Sequence, residues 1–249
     1  MSGHNRWTKI KHKVAAAGAA KGKAFTKVIK EITVAARTGG GDPDGNFQLR
    51  AAIAAAKECN MPADNITRAI KKGTGELEGV NYEETTYEGY GPNGVAMIVS
   101  CLTDNKNRTA GEIRSTFTKA GGNMGDTGSV GWMFERRGVI EVKPGPTEDQ
   151  VMEVALEAGA LDVLPQDAGF EIRTEPNDLH KVVVAIDAKK WPTGETKLTW
   201  IPKEPVQLEL DVAQKVLRLV DLLEDNEDVQ NVYGGFEIPD EVAEKLAAE

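Results

Sequence analysis

The spacing of apolar residues changes near Tyr82, and this change limits the fold more than any other feature of the sequence. Before that point apolar residues recur at helical intervals, so that Phe25 and Ile29 would share one face of a helix. After it the period becomes two, and Thr86–Tyr90 and Val95–Leu102 are predicted to be strands joined by a short turn. The sequence therefore predicts a helical region followed by regions that contain sheets.

The same reasoning predicts the remaining elements. Helices are predicted at residues 5–20, Gly22–Arg37, Asn46–Cys59, Pro62–Gly73, Arg108–Ala120, Asp149–Ala158, Leu179–Ala188, Val212–Glu224 and Pro239–Ala248. Further strands are predicted at Ser129–Phe134, Val139–Val142, Asp162–Leu164, Phe170–Thr174, Leu198–Ile201, Val206–Leu210 and Val229–Tyr233. From Val139 to Ile201 the order is β-α-β-β-α-β, which is typical of a ferredoxin-like unit.

These elements predict a multidomain α+β protein. A basic helical domain is expected over residues 1–78, followed by a discontinuous α+β domain over 79–136 and 204–249. The β-β-α-β and β-α-β segments of that second domain can complete one another. We therefore expect residues 137–203 to form a ferredoxin-like α+β domain that is inserted in the second domain.

Charge is distributed unevenly along the chain. Residues 1–75, the basic head, carry 14 basic and 5 acidic residues, a net charge of +9. Residues 76–249, the acidic body, carry 16 basic and 34 acidic residues, a net charge of −18. A basic head indicates a polyanionic partner, and the acidic body would be repelled by that partner and so restrict docking to one face.

Nucleic acid is the polyanion that this pattern favours. Lysine and arginine side chains that neutralise phosphates release counterions, which supplies affinity without sequence choice. Trp7 lies among the cations and is a candidate for stacking on an exposed base, worth ~1–3 kcal/mol. Base-reading residues are not assigned, because no helix-turn-helix or zinc-finger spacing is present. The predicted nucleic-acid-binding residues are Arg6, Trp7, Lys9, Lys11, His12, Lys13, Lys21, Lys23, Lys27, Lys30, Arg37, Arg50, Lys71 and Lys72.

Two short motifs resemble catalytic or nucleotide-binding signatures. Gly89–Gly94 fits G-x-G-x-x-G, but a predicted strand follows it and Pro92 removes a backbone donor, so a hairpin turn is favoured. Asp126–Gly128 matches the aspartic-protease triplet, but that chemistry needs two carboxylates about 3 Å apart and the triplet occurs once.

The three histidines and two cysteines have no metal-ligand spacing. We predict a protein that is not an enzyme, without catalytic residues, metal or cofactor.

The sequence also contains no run of apolar residues long enough to cross a membrane. Val14–Ala20 follows several bases, but it is too short and too weakly apolar for a signal peptide. We expect a cytoplasmic protein.

Several long motifs resemble those of the YebC family. In the basic head they are Gly3–Trp7, Ile10–Lys13, Gly22–Lys27, Glu31–Arg37, Gly39–Pro43, Asn60–Pro62, Asp64–Ile66 and Ala69–Gly73. In the acidic body they are Tyr87–Pro92, Leu102–Thr109, Gly128–Phe134 and Trp200–Pro202. The resemblance covers nearly the whole chain.

The resemblance implies three domains, an N-terminal helical domain and two α+β domains, with the third inserted in the second. It also implies a nucleic-acid-binding regulator. Bacterial members of the family are described as DNA-binding transcriptional regulators, whereas organellar relatives act as translational activators. Organellar members carry an additional presequence, and this chain starts directly at the motif, which favours a bacterial cytoplasmic protein.

Two alternatives to a DNA-binding transcriptional regulator stay open on the sequence. One is a translation factor or activator that binds messenger or ribosomal RNA, or the ribosome, through backbone and shape. The other is a protein-interaction module whose acidic residues, among them Glu224, Asp225, Glu227 and Asp228, recruit a basic protein partner. In each case we expect a monomer or weak oligomer with no membrane partner.

Overall fold

The computed structural model describes residues 19–166 and 168–247, so that most of the helix predicted over residues 5–20 lies outside the described chain. The helices are α1 (Ala19–Gly39), α2 (Phe47–Glu58), α3 (Ala63–Gly73), α4 (Lys106–Lys119), α5 (Glu148–Glu157), α6 (Leu179–Ala188), α7 (Leu210–Glu224) and α8 (Asp240–Ala247). None of these helices combines the length and apolar character that a membrane-spanning helix requires.

The strands form three sheets. They are β1 (Glu83–Tyr90), β2 (Ala96–Thr103), β3 (Asn123–Met124), β4 (Phe134–Val142), β5 (Asp162–Gln166), β6 (Gly169–Thr174), β7 (Thr193–Pro202), β8 (Val206–Gln207), β9 (Val229–Gly234) and β10 (Phe236–Glu237). The sheet orders are β3-β1-β2-β9, β5-β6-β4-β7 and the two-stranded β10-β8. A helical region followed by mixed helices and sheets confirms the predicted α+β class.

Helix α1 is the centre of the helical region, because both α2 and α3 pack against it. Ile32 and Ala36 are buried there with Leu49 of α2, and the apolar residues predicted on the same stripe, including Phe25, pack beside them. Asn46 joins the two helices: its Oδ1 accepts a hydrogen bond from the amide of Leu49, as an N-cap does, and its Nδ2 donates to the carbonyl of Ala35.

The first sheet incorporates β9 from far along the chain. Strand β2 lies between β1 and β9 and pairs antiparallel with both. Helices α4 and α7 cover this sheet, with Ile113, Phe117 and Leu219 fully buried in a shared core with Val99 of β2. The turn at residues 91–94 joins β1 to β2, so the predicted hairpin is present where the G-x-G-x-x-G pattern occurs.

The sheet β5-β6-β4-β7 confirms the ferredoxin-like prediction. Its elements follow the chain as β4-α5-β5-β6-α6-β7, and Thr147 caps α5. The segment Phe134–Ile201 forms one compact unit. The helical region and the first sheet belong to a second unit, which resumes after the insertion. The boundaries drawn at residues 78, 136 and 203 stay a prediction.

The loop that precedes β4 is held by one carboxylate. Glu88 accepts hydrogen bonds from the amides of Gly128 at 2.8 Å and of Val130 and Gly131 at 2.7 Å each. Burial opposes ionisation of Glu88, but these three donors outweigh it and lower its pKa. The strand predicted over Ser129–Phe134 is wrong, since β4 begins only at Phe134. The amides of Gly128, Val130 and Gly131 bind the side chain of Glu88 and not an adjacent strand.

The strand predicted over Val206–Leu210 is also too long. Strand β8 pairs only with the two-residue β10, and helix α7 already begins at Leu210 with Glu209 in the N-cap position. Apolar and polar residues alternate over Val206–Leu210, but five residues are too few for this alternation to exclude the first turn of a helix.

Gly73 allows α3 to approach α1 closely. A Cβ atom at this position would lie 2.4 Å from the carbonyl oxygen of Thr33 and 2.7 Å from the Cβ of Ala36. We expect Gly73→Ala to destabilise the protein by about 1–3 kcal/mol, because the two helices would have to separate. The measurement is urea-induced unfolding.

Gly22→Ala is the matched control for that substitution. No atom lies within 4 Å of a Cβ at this exposed position of α1. Alanine should stabilise the helix there by up to about 1 kcal/mol. Equal stability of the Gly73→Ala and Gly22→Ala variants would contradict the close approach of α1 and α3.

Candidate nucleic-acid interface

Helix α1 carries several cations of the basic head, and the acidic body binds four of them. Lys23, Lys27 and Lys30 contact residues 224–228, which we call the acidic turn and which connects α7 to β9. Arg37 contacts the linker between α3 and β1. The structure therefore places part of the predicted nucleic-acid surface in an internal contact.

Lys30 is the most deeply placed of these cations, with only 7% of its side chain exposed. Its Nζ donates to Asp228 Oδ1 at 2.6 Å, to the carbonyl of Glu227 at 2.9 Å and to the carbonyl of Leu102 at 3.3 Å. It also lies 5.4 Å from the centre of the Tyr82 ring. An ammonium has three donors, and all three are used within the protein, so Lys30 has no donor left for a phosphate in this arrangement.

Asp228 is the acceptor on which these contacts converge. Besides Lys30, its carboxylate accepts hydrogen bonds from Arg108 and Thr109 at 2.7 Å each and from Thr103 at 3.2 Å. Only 6% of the Asp228 side chain is exposed. One buried carboxylate therefore joins α1, β2 and α4 to the acidic turn.

The donors decide the ionisation of this carboxylate. Burial opposes the charged form of Asp228, but the hydrogen bonds from Arg108, Lys30 and Thr109 outweigh burial and lower its pKa to about 2. Asp228 is therefore ionised at neutral pH, and its charge balances that of Lys30 inside the protein.

Lys23 and Lys27 make weaker contacts with the same turn. Lys23 forms a 2.9 Å ion pair with Asp225, in which 42% and 71% of the two side chains stay exposed. Lys27 donates at 2.7 Å to the carbonyl of Glu224, the last residue of α7, where the helix dipole favours a cation. Exposed pairs of this kind contribute about 0–1 kcal/mol, so Lys23 can exchange Asp225 for a phosphate at little cost.

These contacts give the acidic turn a basic partner within its own chain. Asp225 and Asp228 were candidates for recruiting a basic protein, and both pair with lysines of α1. The protein-interaction alternative loses much of its support, because the most buried acid of the turn is already neutralised.

Arg37 has a structural role. Its guanidinium donates to the side chain of Asn81, to the carbonyl of Tyr82 at 2.9 Å and to the carbonyl of Val80 at 3.4 Å. It thereby fixes the linker that leads from the helical region to β1.

The predicted residues on α2 and α3 are placed differently. Arg50, Lys71 and Lys72 are exposed and form no ion pair with other residues in the described part of the chain. The sequence prediction omitted Arg68, which is also exposed and lies three and four positions before these lysines of α3. That spacing brings Arg68, Lys71 and Lys72 to one side of the helix, and we call them the α3 cation face.

Helical spacing was the signal that would have identified Arg68, since α3 itself was predicted from the sequence. Lys57 was omitted as well, and it lies seven positions after Arg50 on α2, on the same exposed side. Both additions follow from extending the helical repeat of residues that were already assigned.

The remaining predicted residues are in the first part of the chain. Arg6, Trp7, Lys9, Lys11, His12 and Lys13 lie outside the described residues, and only the main chain of Lys21 is described. Their role in nucleic-acid binding stays a prediction.

Between residues 19 and 247, residue 167 aside, no group of three or more histidine, cysteine or acidic side chains is arranged to hold a metal ion. Cys59 and Cys101 are free thiols. Burial raises the pKa of Cys101 to about 12, so its thiol is protonated and unreactive at neutral pH.

The Asp228 cluster predicts a strong dependence of stability on the carboxylate. Asp228→Asn should lower the free energy of unfolding by about 3–5 kcal/mol, because it leaves the buried charge of Lys30 uncompensated, whereas Lys30→Met should cost less, because Arg108 still pairs with Asp228. Asp225→Asn, at the exposed pair with Lys23, is the control and should cost about 0–1 kcal/mol. Similar losses in all three variants, measured by urea-induced unfolding, would contradict the central role of Asp228.

The same cluster predicts a pH dependence. The pKa of Asp228 is about 2 in the folded protein, against about 3.9 for an aspartate in an unfolded chain. The stabilisation is complete above about pH 4 and is lost as the pH falls through about 2, because protonation then favours the unfolded chain. The difference in stability between the native protein and Asp228→Asn should shrink over this range. A difference that stays constant would show that the carboxylate is not held ionised by these donors.

Comparison with known proteins identifies relatives over the whole length. Residues 5–76 match the family model described as the TACO1/YebC protein N-terminal domain, and residues 82–236 match that described as the TACO1/YebC second and third domain. A probable transcriptional regulatory protein of Myxococcus xanthus is 58% identical over 247 residues, covering 99% of each chain. A similarly named protein of Geobacter sulfurreducens is 55% identical over 246 residues, covering 99% of this chain and 100% of the relative.

A solved structure also matches. The crystal structure of a conserved hypothetical protein from Aquifex aeolicus is 48% identical, with a TM-score of 0.79, and the match covers 89% of this chain and 92% of that one. The resemblance predicted from the motifs is confirmed: this chain belongs to the TACO1/YebC family.

Proposed function

We propose that this protein is a nucleic-acid-binding regulator of gene expression that contacts its target through the basic head. The observation that carries the proposal is the separation of charge, +9 over residues 1–75 against −18 over the rest of the chain. Phosphates attract the head and repel the body, so that the charge distribution sets both the affinity and the orientation of docking.

Fewer residues of α1 are proposed to contact nucleic acid than the sequence predicted. Lys30 is removed from the predicted set, because its three donors are used within the protein, and Arg37 is removed because its guanidinium holds the linker to β1. The α3 cation face, with Arg50 and Lys57 of α2, presents side chains that no described acid neutralises. The predicted contacts at residues 6–13 and at Lys21 complete the proposed surface.

Among nucleic acids we propose DNA. The relatives from Myxococcus xanthus and Geobacter sulfurreducens are both named as probable transcriptional regulatory proteins. These names describe regulators and not enzymes, and accordingly we propose that this chain acts by binding and without catalysis. The site of action would be the cytoplasm, and the proposed partner is nucleic acid bound by a monomer or weak oligomer.

Charge reversal on α3 tests the surface. The triple variant Arg68→Glu, Lys71→Glu, Lys72→Glu should bind duplex DNA much more weakly, and the log–log slope of affinity against salt should become shallower by up to about 3. The control reverses Lys181, Lys189 and Lys190, exposed lysines of the unit Phe134–Ile201, which changes the net charge equally. Fluorescence anisotropy across a salt series measures both. Equal loss in both triple variants would mean that net charge matters and the surface does not.

The first part of the chain has its own test. Lys9→Glu, Lys11→Glu and Lys13→Glu together should abolish binding while the melting temperature stays within a few degrees, because the sequence around them has little apolar content and substitutions away from a core change stability by about ±0.5 kcal/mol. Undiminished binding by this stable variant would exclude residues 9–13 from the interface.

Competition separates DNA from RNA as the target. Labelled duplex DNA is displaced either by unlabelled duplex or by a structured ribosomal RNA fragment at the same phosphate concentration and salt. The proposal expects the duplex to compete better. Tighter binding of the RNA fragment would instead support the translational alternative.

A further inference from the structure

Helix α4 is rich in cations for an element of the acidic body. It contains Lys106, Arg108, Arg114 and Lys119 against the single acid Glu112. Lys106 pairs with Glu83, and Arg108 pairs with Asp104 and Asp228, so Arg114 and Lys119 are the cations that the described acids leave unneutralised. Helix α4 buries Thr109, Ile113 and Phe117, which fixes the side that faces solvent.

The solvent-facing side of α4 has the composition of a surface that contacts phosphates. Helical spacing aligns Asn107, Gly111, Arg114 and Thr118, all of them exposed, with Ser115 half-buried beside them. Amides, hydroxyls and guanidinium groups are the side chains that donate to phosphate oxygens. Gly111 has no atom within 4 Å of a Cβ position, so the helix surface is open at its centre.

Two cations of α4 are available to a ligand: Arg114 on this side, and Lys119, which lies five positions later and so on the neighbouring side of the last turn. Arg114 and Lys119 are exposed, and neither pairs with an acid among residues 19–166 and 168–247. The one acid of the helix, Glu112, is held by Asn226, whose Nδ2 donates to it at 2.7 Å. Lys119 lies in the last turn, where the helix dipole favours a cation even without a ligand. Arg114 has no such explanation and is therefore the better indicator of a phosphate-binding surface.

The Asp228 cluster connects this side of α4 to the basic head. Arg108 of α4 and Lys30 of α1 bind the two oxygens of the same carboxylate, at 2.7 and 2.6 Å. Within the acidic turn that lies between the two helices, Asp225 and Asp228 are both paired with cations.

The geometry points to a second phosphate-binding surface, formed by Asn107, Gly111, Arg114 and Thr118 of α4 with Lys119 on the neighbouring side, that binds the sugar–phosphate backbone of the nucleic acid held by the head. This inference rests on the proposed function, since the head supplies the first contacts. The bound nucleic acid would then extend past the basic head and contact α4 as well. The acidic turn would lie beside the bound strand.

Two variants of the full-length protein test the surface. Arg114→Glu with Lys119→Glu should weaken binding of duplex DNA ~10-fold or more at low salt and make the log–log salt slope shallower by about 2. Gly111→Glu should also weaken binding, because it places an anion at the centre of the surface. The same measurements with a structured RNA show whether the surface discriminates between the two backbones.

Lys189→Glu with Lys190→Glu is the matched control, because it changes the net charge by the same amount as the Arg114/Lys119 variant at exposed lysines of the unit Phe134–Ile201 and should leave affinity unchanged. Thermal unfolding of each variant shows that the fold is kept, and Gly111→Glu should be at least as stable as the native protein. If the α3 charge reversal weakens binding but Gly111→Glu and the Arg114/Lys119 variant bind normally, the second surface is contradicted and the proposed function stands. If no variant affects binding, both fail.

Discussion

The buried carboxylate of Asp228 is the interaction on which the arrangement of the helical region and the first sheet depends. It neutralises Lys30, receives Arg108, Thr103 and Thr109, and is ionised because these donors outweigh the cost of burial. A buried ion pair is not by itself a source of net stability, since a well-packed apolar pair can be as stable. Its specific contribution here is registry: only one placement of α1 against β2, α4 and the acidic turn satisfies all the donors at once.

Much of the fold could be predicted from the sequence, because apolar spacing is set by which side of an element is buried. Helices α2, α3 and α6 lie within a residue or two of their predicted bounds, and the ferredoxin-like order of the inserted unit was predicted in full. The failures have a common cause in long-range contacts. Glu88 captures amides some forty positions away, so the residues around Val130 do not form a strand. Periodicity reports burial along one segment and not hydrogen bonds between distant ones.

The candidate site shows the same division. Lys30 follows the polar stripe of α1 in the sequence, yet it is buried because a distant acid, Asp228, covers that side of the helix. The local sequence does not predict the burial of Lys30, because an exposed lysine and a lysine that pairs with a buried carboxylate can have the same neighbours in sequence. Exposed cations on regular helices, such as Arg68 and Arg114, were within reach of helical spacing. The structure thus moves the proposed interface from the inner side of α1 toward α3 and α4, with the acidic turn between α1 and α4.

Nucleotide–peptide crosslinking in cells, followed by mass spectrometry and by sequencing of the attached nucleic acid, tests the central claim most directly. The account predicts crosslinked peptides from the basic head, with further ones from α4, and enrichment of promoter DNA in the attached fragments. Crosslinks confined to the unit Phe134–Ile201, or recovery of the protein with no nucleic acid attached, would contradict a head that binds phosphates.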